Sequence, residues 1–379
     1  MVQTRTPERS AETVPETTHV LGLDLLRACA VVMVLCSHWT CHFAEWFGVP
    51  VPPAADTLGD IGVELFFALS GFLIGRILIG MCARRPDWRD FAVFMVRRAM
   101  RTLPLYYLWL ALLLSLAPPV QDTAHEALRY LTLSQNLLAP LPPDYYFAVT
   151  WSLTIEEWFY LLFGLALVAL CRRIGGERAL FVCVACWMGA PLALRLATGE
   201  RGGLVFFRID EIAYGVVMAR LWLRQARLFR HPRLLLAVGV TANLAILCGW
   251  APLPPSLMVP LTSNIEVIGC CLCLPAALRL IQARAWLAQP VRWIASRSYA
   301  LYLMHLTIMA DGVEHYLLHP GLLPAWACLI VTIVLPFQLA ELSYRLLETP
   351  ILKLRPRQQG RPRWTKAQVQ GLALAGQQS

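Results

Sequence analysis

An arginine, Arg27, and a histidine, His38, both poorly tolerated by lipid, stand in one apolar run, LDLLRACAVVMVLCSHW, from Leu23 to Trp39. At about 100° per residue their eleven-residue spacing is about 20° past three full helical turns, so both side chains lie on one stripe of a helix. Along the axis they are roughly 16 Å apart, half the thickness of a bilayer's hydrocarbon, so they share a face at different depths and cannot form an ion pair. A guanidinium suits anion binding, and an imidazole titrates near neutrality and suits proton transfer. One helix therefore carries two kinds of chemistry at two levels.

Other segments repeat this division. Toward the outer half of their spans lie Glu64, the pair Glu156 and Glu157 in TWSLTIEEWFYLLF, Arg208, Asp210 and Glu211 in FFRIDEIAYG, and His305 in SRSYALYLMHL. Ionisable groups inside spans are costly unless paired or facing water, so a set converging on one depth with His38 reads as a site. The competing reading is a set of separate structural pairs, such as Arg208 with Glu157. At the inner level FMVRRAMRTLPLYY places Arg97, Arg98 and Arg101 ahead of a span, near the depth of Arg27. Clustered guanidiniums fit a multiply charged phosphate. The run DIGVELFFALSGFLIG sets Ser70 among Gly62, Gly71 and Gly75, where small residues admit a close helix or ligand and the hydroxyl offers a hydrogen bond; helix packing alone is an equal account.

The elements that must hold these residues are membrane helices. The chain is 58% hydrophobic and 15% charged, with a mean hydropathy of +0.55, values that belong to polytopic membrane proteins. Ten apolar segments are expected, at 20–42, 61–82, 102–118, 151–171, 179–197, 206–223, 234–250, 259–281, 298–311 and 323–344, making an all-α bundle. With the N-terminus inside, the inner connections and the tail from Arg345 hold 23 Lys and Arg, whereas the outer connections hold Arg129 and Arg201. That asymmetry predicts both termini in the cytoplasm. The net charge of +9 does not indicate nucleic acid, because the basic residues lie between apolar segments rather than in one groove. The expected organisation is a polar tail over 1–19, a membrane domain over 20–344, begun by a retained signal anchor, and a basic, disordered or surface-bound tail over 345–379. Cys183 and Cys186 have C-x-x-C spacing, but, like Cys270, Cys271 and Cys273, they fall within spans, where Cys acts as a small hydrophobe; no metal is expected.

In this order the motifs resemble the acyltransferase 3 family of multi-span membrane O-acyltransferases, which modify bacterial surface polysaccharides and some macrolides. Arg27 and His38 resemble its Arg, ten residues, His pair. GVELFFALSGFLI resembles its second-helix motif, with Glu64 where Asp is common, and RRAMRTLPLYY its Arg-x-x-Arg motif at Arg98 and Arg101. TWSLTIEEWFYLL resembles its Trp-Ser-Leu-x-x-Glu-Glu signature; SRSYALYLMH and SYRLLETP resemble its closing motifs. The resemblance implies an acyl-CoA donor, with acetyl the expected acyl group, a carbohydrate or glycosylated hydroxyl acceptor, and a place in the bacterial cytoplasmic membrane. Arg27, Arg98 and Arg101 would hold the CoA phosphates, and His38 would act as general base or carry the acyl group. Glu156 or Asp210 would fix the tautomer of His38, and Arg208 or Ser70 would donate to the oxyanion. Glu64, Glu157, Glu211 and His305 would line the acceptor site, with Tyr145, Tyr146 and Phe147 bordering its entrance. No C-terminal SGNH hydrolase-like domain, present in some family members, is expected after Arg345. The alternative class is a transporter or flippase, against which stands the lack of a visible inverted repeat.

Overall fold

The computed structural model describes residues 20–84, 86–116, 123–138, 147–201, 203–250 and 253–356. Every regular element among them is helical: α1 Leu21–Trp46, α2 Ala54–Cys82, α3 Trp88–Leu116, α4 Thr123–Leu131, α5 Trp151–Ile174, α6 Gly176–Thr198, α7 Val205–Arg208, α8 Asp210–Leu223, α9 Pro232–Leu247, α10 Pro255–Arg279, α11 Ala285–Thr307, α12 Ala325–Ser343 and α13 Thr349–Lys353. Wider π-helical turns extend α11 over Ile308–Leu318 and join α12 to α13. The tail beyond Pro356 and the polar segment 1–19 lie outside the described residues.

Seven of the described helices are long and apolar enough to cross a membrane, where ten spans were expected. The segment at 206–223 breaks at Ile209, leaving α8 with 14 residues; at 1.5 Å per residue that is about 21 Å, short of the roughly 30 Å of hydrocarbon. Helix α9 has 16 residues. Helix α11 is long enough, but Gln289, Arg292 and Arg297 stand within its first thirteen residues.

The bundle is organised around α2, which packs on α1 along one side and α8 along another. Glycines set these distances. A Cβ at Gly71 would stand 2.0 Å from the carbonyl oxygen of Ile212, one at Gly215 2.4 Å from that of Ala68, and one at Gly62 2.8 Å from that of Ala30. The backbones of α1, α2 and α8 are thus in direct contact, the close approach that small residues permit where lipid supplies no hydrophobic drive. The aromatic core of Phe67, Phe94, Phe159 and Phe163 joins α2, α3 and α5, and a second core joins α1, α3, α11 and α12. Phe147, expected at an acceptor entrance, is fully buried and stacks on Tyr106 with ring centroids 5.8 Å apart. Tyr145 and Tyr146 fall outside the described residues.

Candidate active site

Because α1 is unbroken from Leu21 to Trp46, it carries both levels of the site. Toward the C-terminal end of α1 His38 meets His305 of α11, with Nδ1 of His38 2.8 Å from Nε2 of His305. The other ring nitrogen of His305, Nδ1, lies 3.0 Å from the Leu301 carbonyl and 2.9 Å from the Tyr302 carbonyl. Carbonyls only accept, so Nδ1 of His305 carries the proton and its Nε2 offers a lone pair. His38 therefore donates from Nδ1, and its own Nε2 is left as an acceptor. His38 also lines a cavity of about 180 Å³ with Ser37, Asp56, Asp60, Trp151 and Tyr302. The pair is a base whose tautomer is set by hydrogen bonds running back to the α11 backbone.

That geometry corrects the expected carboxylate partner: neither Glu156 nor Asp210 holds His38. Asp210 instead receives both terminal nitrogens of Arg195, at 2.9 and 2.6 Å. Both side chains are fully buried, and Arg195 also donates to Asn264 (2.7 Å) and the Pro260 carbonyl (3.0 Å). This is a saturated polar plug tying α6, α8 and α10 together. Arg195 is not among the residues the sequence singles out, although an arginine within an apolar span is itself the signal that a buried partner exists.

Arg208 pairs with Glu64 (2.7 Å) and Glu211 (2.8 Å), and its guanidinium carbon sits 4.5 Å above the Trp151 ring. The pairing imagined between Arg208 and Glu157 does not occur. With two carboxylates and an indole around it, Arg208 belongs to the wall behind the cavity rather than to an oxyanion donor, and Glu64 and Glu211 are buried with it. Alongside, Arg201 bridges Asp60 and Glu266, both at 2.7 Å. Asp56, Asp60, Arg201 and Glu266 were missed because three stand in segments read as connections and Glu266 lies alone in an apolar run.

Glu156 and Glu157, expected at the outer level, sit deeper with the arginines. Glu156 accepts from Ser70 at 2.5 Å, and Ser70 is 3.0 Å from the Tyr160 hydroxyl. Glu157 accepts from Thr102 of α3 at 2.8 Å. The Ser70 proton is committed to Glu156, so Ser70 is not free to serve an oxyanion. Arg98 lies 5.2 Å over the Tyr160 ring. Arg27, Arg98 and Arg101 are close enough to act on one another, with Glu156 and Glu348 in the same field. Arg27 has Asp24 at 3.8 Å; among the described residues no carboxylate within 4 Å pairs with Arg98 or Arg101. Like charges gathered this closely repel unless an anion joins them.

A family model described as an acyltransferase domain, that of the acyltransferase 3 group, matches residues 20–341. The chain is 26% identical over 374 residues to the O-acetyltransferase OatA of Staphylococcus aureus, covering 88% of this chain and 57% of that protein. It is 27% identical over 370 residues to the putative peptidoglycan O-acetyltransferase YrhL of Bacillus subtilis, covering 88% and 55%. It is 25% identical over 380 residues to the peptidoglycan O-acetyltransferase OatA of Listeria monocytogenes, covering 88% and 56%. The chain thus spans little more than half the length of these relatives. No solved structure matches it. The motif order, the helical bundle and a family match running through nearly all of the described residues agree, and the chain belongs to the acyltransferase 3 family of membrane acyltransferases.

Proposed function

We propose that this protein is an O-acyltransferase that moves an acyl group, acetyl in the first instance, from acyl-CoA to a hydroxyl of a carbohydrate acceptor such as a surface polysaccharide. The observation that carries this reading is the His38–His305 couple: a tautomer-fixed imidazole at a cavity wall, on the same helix and stripe as Arg27 of the arginine cluster. Arg27, Arg98 and Arg101 would hold the anionic nucleotide end of the donor on the cytoplasmic side. The acceptor would reach His38 from the opposite side, so that the donor's slender arm runs along α1 between the two levels. Both termini would lie in the cytoplasm on the ten-segment arrangement, in which 23 Lys and Arg fall in the inner connections and tail.

Nε2 of His38 takes the proton of the acceptor hydroxyl as its oxygen attacks the thioester carbonyl. The carbon–oxygen bond forms, the carbon–sulfur bond breaks, and the departing thiolate takes the proton from Nε2 of His38, which restores the base. His305 accepts from Nδ1 of His38 throughout and keeps Nε2 directed to its work. A polysaccharide acceptor also fits the similarity to peptidoglycan O-acetyltransferases. Replacing His38 by Ala should lower acyl transfer by about 10²–10⁴-fold at normal expression, the contribution of a general base. Transfer from labelled acetyl-CoA by membranes bearing either form measures it. Near-normal transfer in the variant would remove His38 from the chemistry.

A further inference from the structure

The cavity beside His38 has a charge character that narrows what it accepts. Among the described residues lining it, the acidic ones are Asp56 and Asp60, His38 is the base, and no Lys or Arg is present. Asp60 shares Arg201 with Glu266, so one guanidinium serves two carboxylates. Asp56 is exposed, and its hydrogen bond is from the Cys41 thiol at 3.4 Å. Behind the wall Arg208 likewise serves Glu64 and Glu211. Glu64, Glu211 and Glu266 are fully buried, and each keeps one carboxylate oxygen without a hydrogen-bond partner. Two carboxylates, Asp56 and Asp60, thus face the cavity with no cation among its described lining residues, and the buried Glu64, Glu211 and Glu266 lie behind that wall. Trp151 supplies the apolar surface, its indole held by Arg208 above the ring and by Phe67 edge-on at 6.3 Å.

We infer that this cavity is an acceptor subsite for a single sugar ring, neutral or amine-bearing and rich in free hydroxyls, and that Asp56, Asp60 and Trp151 determine that specificity. The inference rests on the reading of His38 as the base. An indole offers a broad apolar face to the C–H side of a pyranose while keeping a polar edge. Ionised carboxylates are acceptors only, so Asp56 and Asp60 can take hydrogen bonds from ring hydroxyls or an ammonium but have nothing to donate to a uronate or a phosphate. A volume of about 180 Å³ is below the roughly 300–1,000 Å³ of sites for drug-sized ligands and suits one ring of a longer chain. A like charge about 5 Å from one carboxylate, in a medium between protein and water, weakens binding about tenfold.

The test is binding of three monosaccharide probes to the detergent-solubilised protein, followed by saturation-transfer NMR: methyl N-acetyl-β-glucosaminide, methyl β-glucosaminide and methyl β-glucuronide. The neutral and the cationic probe should bind, and the glucuronide should bind about tenfold more weakly or not at all. Asp56→Asn, at an exposed position, should reduce the discrimination against glucuronide to about threefold or less. Trp151→Leu should weaken all three probes by about tenfold, with Trp151→Phe between. Equal binding of neutral and acidic probes, or discrimination unmoved by Asp56→Asn, would overturn the charge selection. Absence of probe binding in a preparation that still transfers acetyl would overturn the subsite and leave the proposed activity standing. Probe binding as expected without any acyl transfer would have the opposite meaning.

Discussion

At the scale of single residues the account turns on a proton's position. The two carbonyls beside Nδ1 of His305 leave that ring one tautomer, which in turn leaves His38 one tautomer. His305 is therefore a positioning residue, and its replacement should act on the rate rather than on donor binding. His305→Ala is expected to lower kcat by about 10²-fold with the KM for acetyl-CoA unchanged, and His305→Gln, whose amide oxygen can accept from Nδ1 of His38, should recover most of the loss. Equal damage from both variants, or a change confined to KM, would remove the tautomer argument. The arginines should behave oppositely. Arg98→Ala is expected to raise the KM for acetyl-CoA with little change in kcat, because an anchor remote from the thioester contributes mostly uniform binding, and Arg98→Lys should recover it only in part. A collapsed kcat at unchanged KM would make Arg98 an organiser of the bundle instead.

At the scale of elements, helices meet where side chains are smallest and are locked where charges are buried. Gly71 and Gly215 bring α2 and α8 into backbone contact, and the Arg195–Asp210 plug ties α6, α8 and α10. Removing one member of a buried pair strands the other charge at a cost of about 3–5 kcal/mol, whereas replacing both by apolar residues of similar volume is often neutral. Arg195→Met and Asp210→Leu singly should each lower the melting temperature of the detergent-solubilised protein, and the double variant should recover most of the loss with transfer activity per folded molecule retained. A double variant as unstable as either single one would contradict a purely structural plug. The sequence made the stripe of Arg27 and His38 legible, because helical periodicity is local. It did not disclose that His38 meets a residue 267 positions away, nor that Asp210 is claimed by Arg195. Partners across helices are set by which faces pack together, and several carboxylates at a similar depth competed for His38 on equal terms. Glu156 and Glu157 were misplaced for a related reason: depth was counted from assumed span ends, whereas Ser70 and Thr102 draw these carboxylates to the level of the arginines.

Across the whole molecule, on the proposed reading, the donor belongs to one level and the acceptor to the other. The helical class, the membrane spans and the family were legible from composition and motif order; the number of spans was not, because α8 and α9 are apolar yet short, and α8 is held by packing on α2. On the proposed orientation, the arginine cluster would face the cytosol and the His38 cavity would face away from it. The acyl group must then travel along α1 within the protein. The measurement that tests this most directly uses sealed right-side-out vesicles loaded with labelled acetyl-CoA, with soluble peptidoglycan fragments supplied outside. The account predicts label on the external fragments with the wild-type protein and none above background with His38→Ala. Labelling only when fragments and acetyl-CoA share the cytoplasmic side, or equal labelling by the His38→Ala protein, would contradict it.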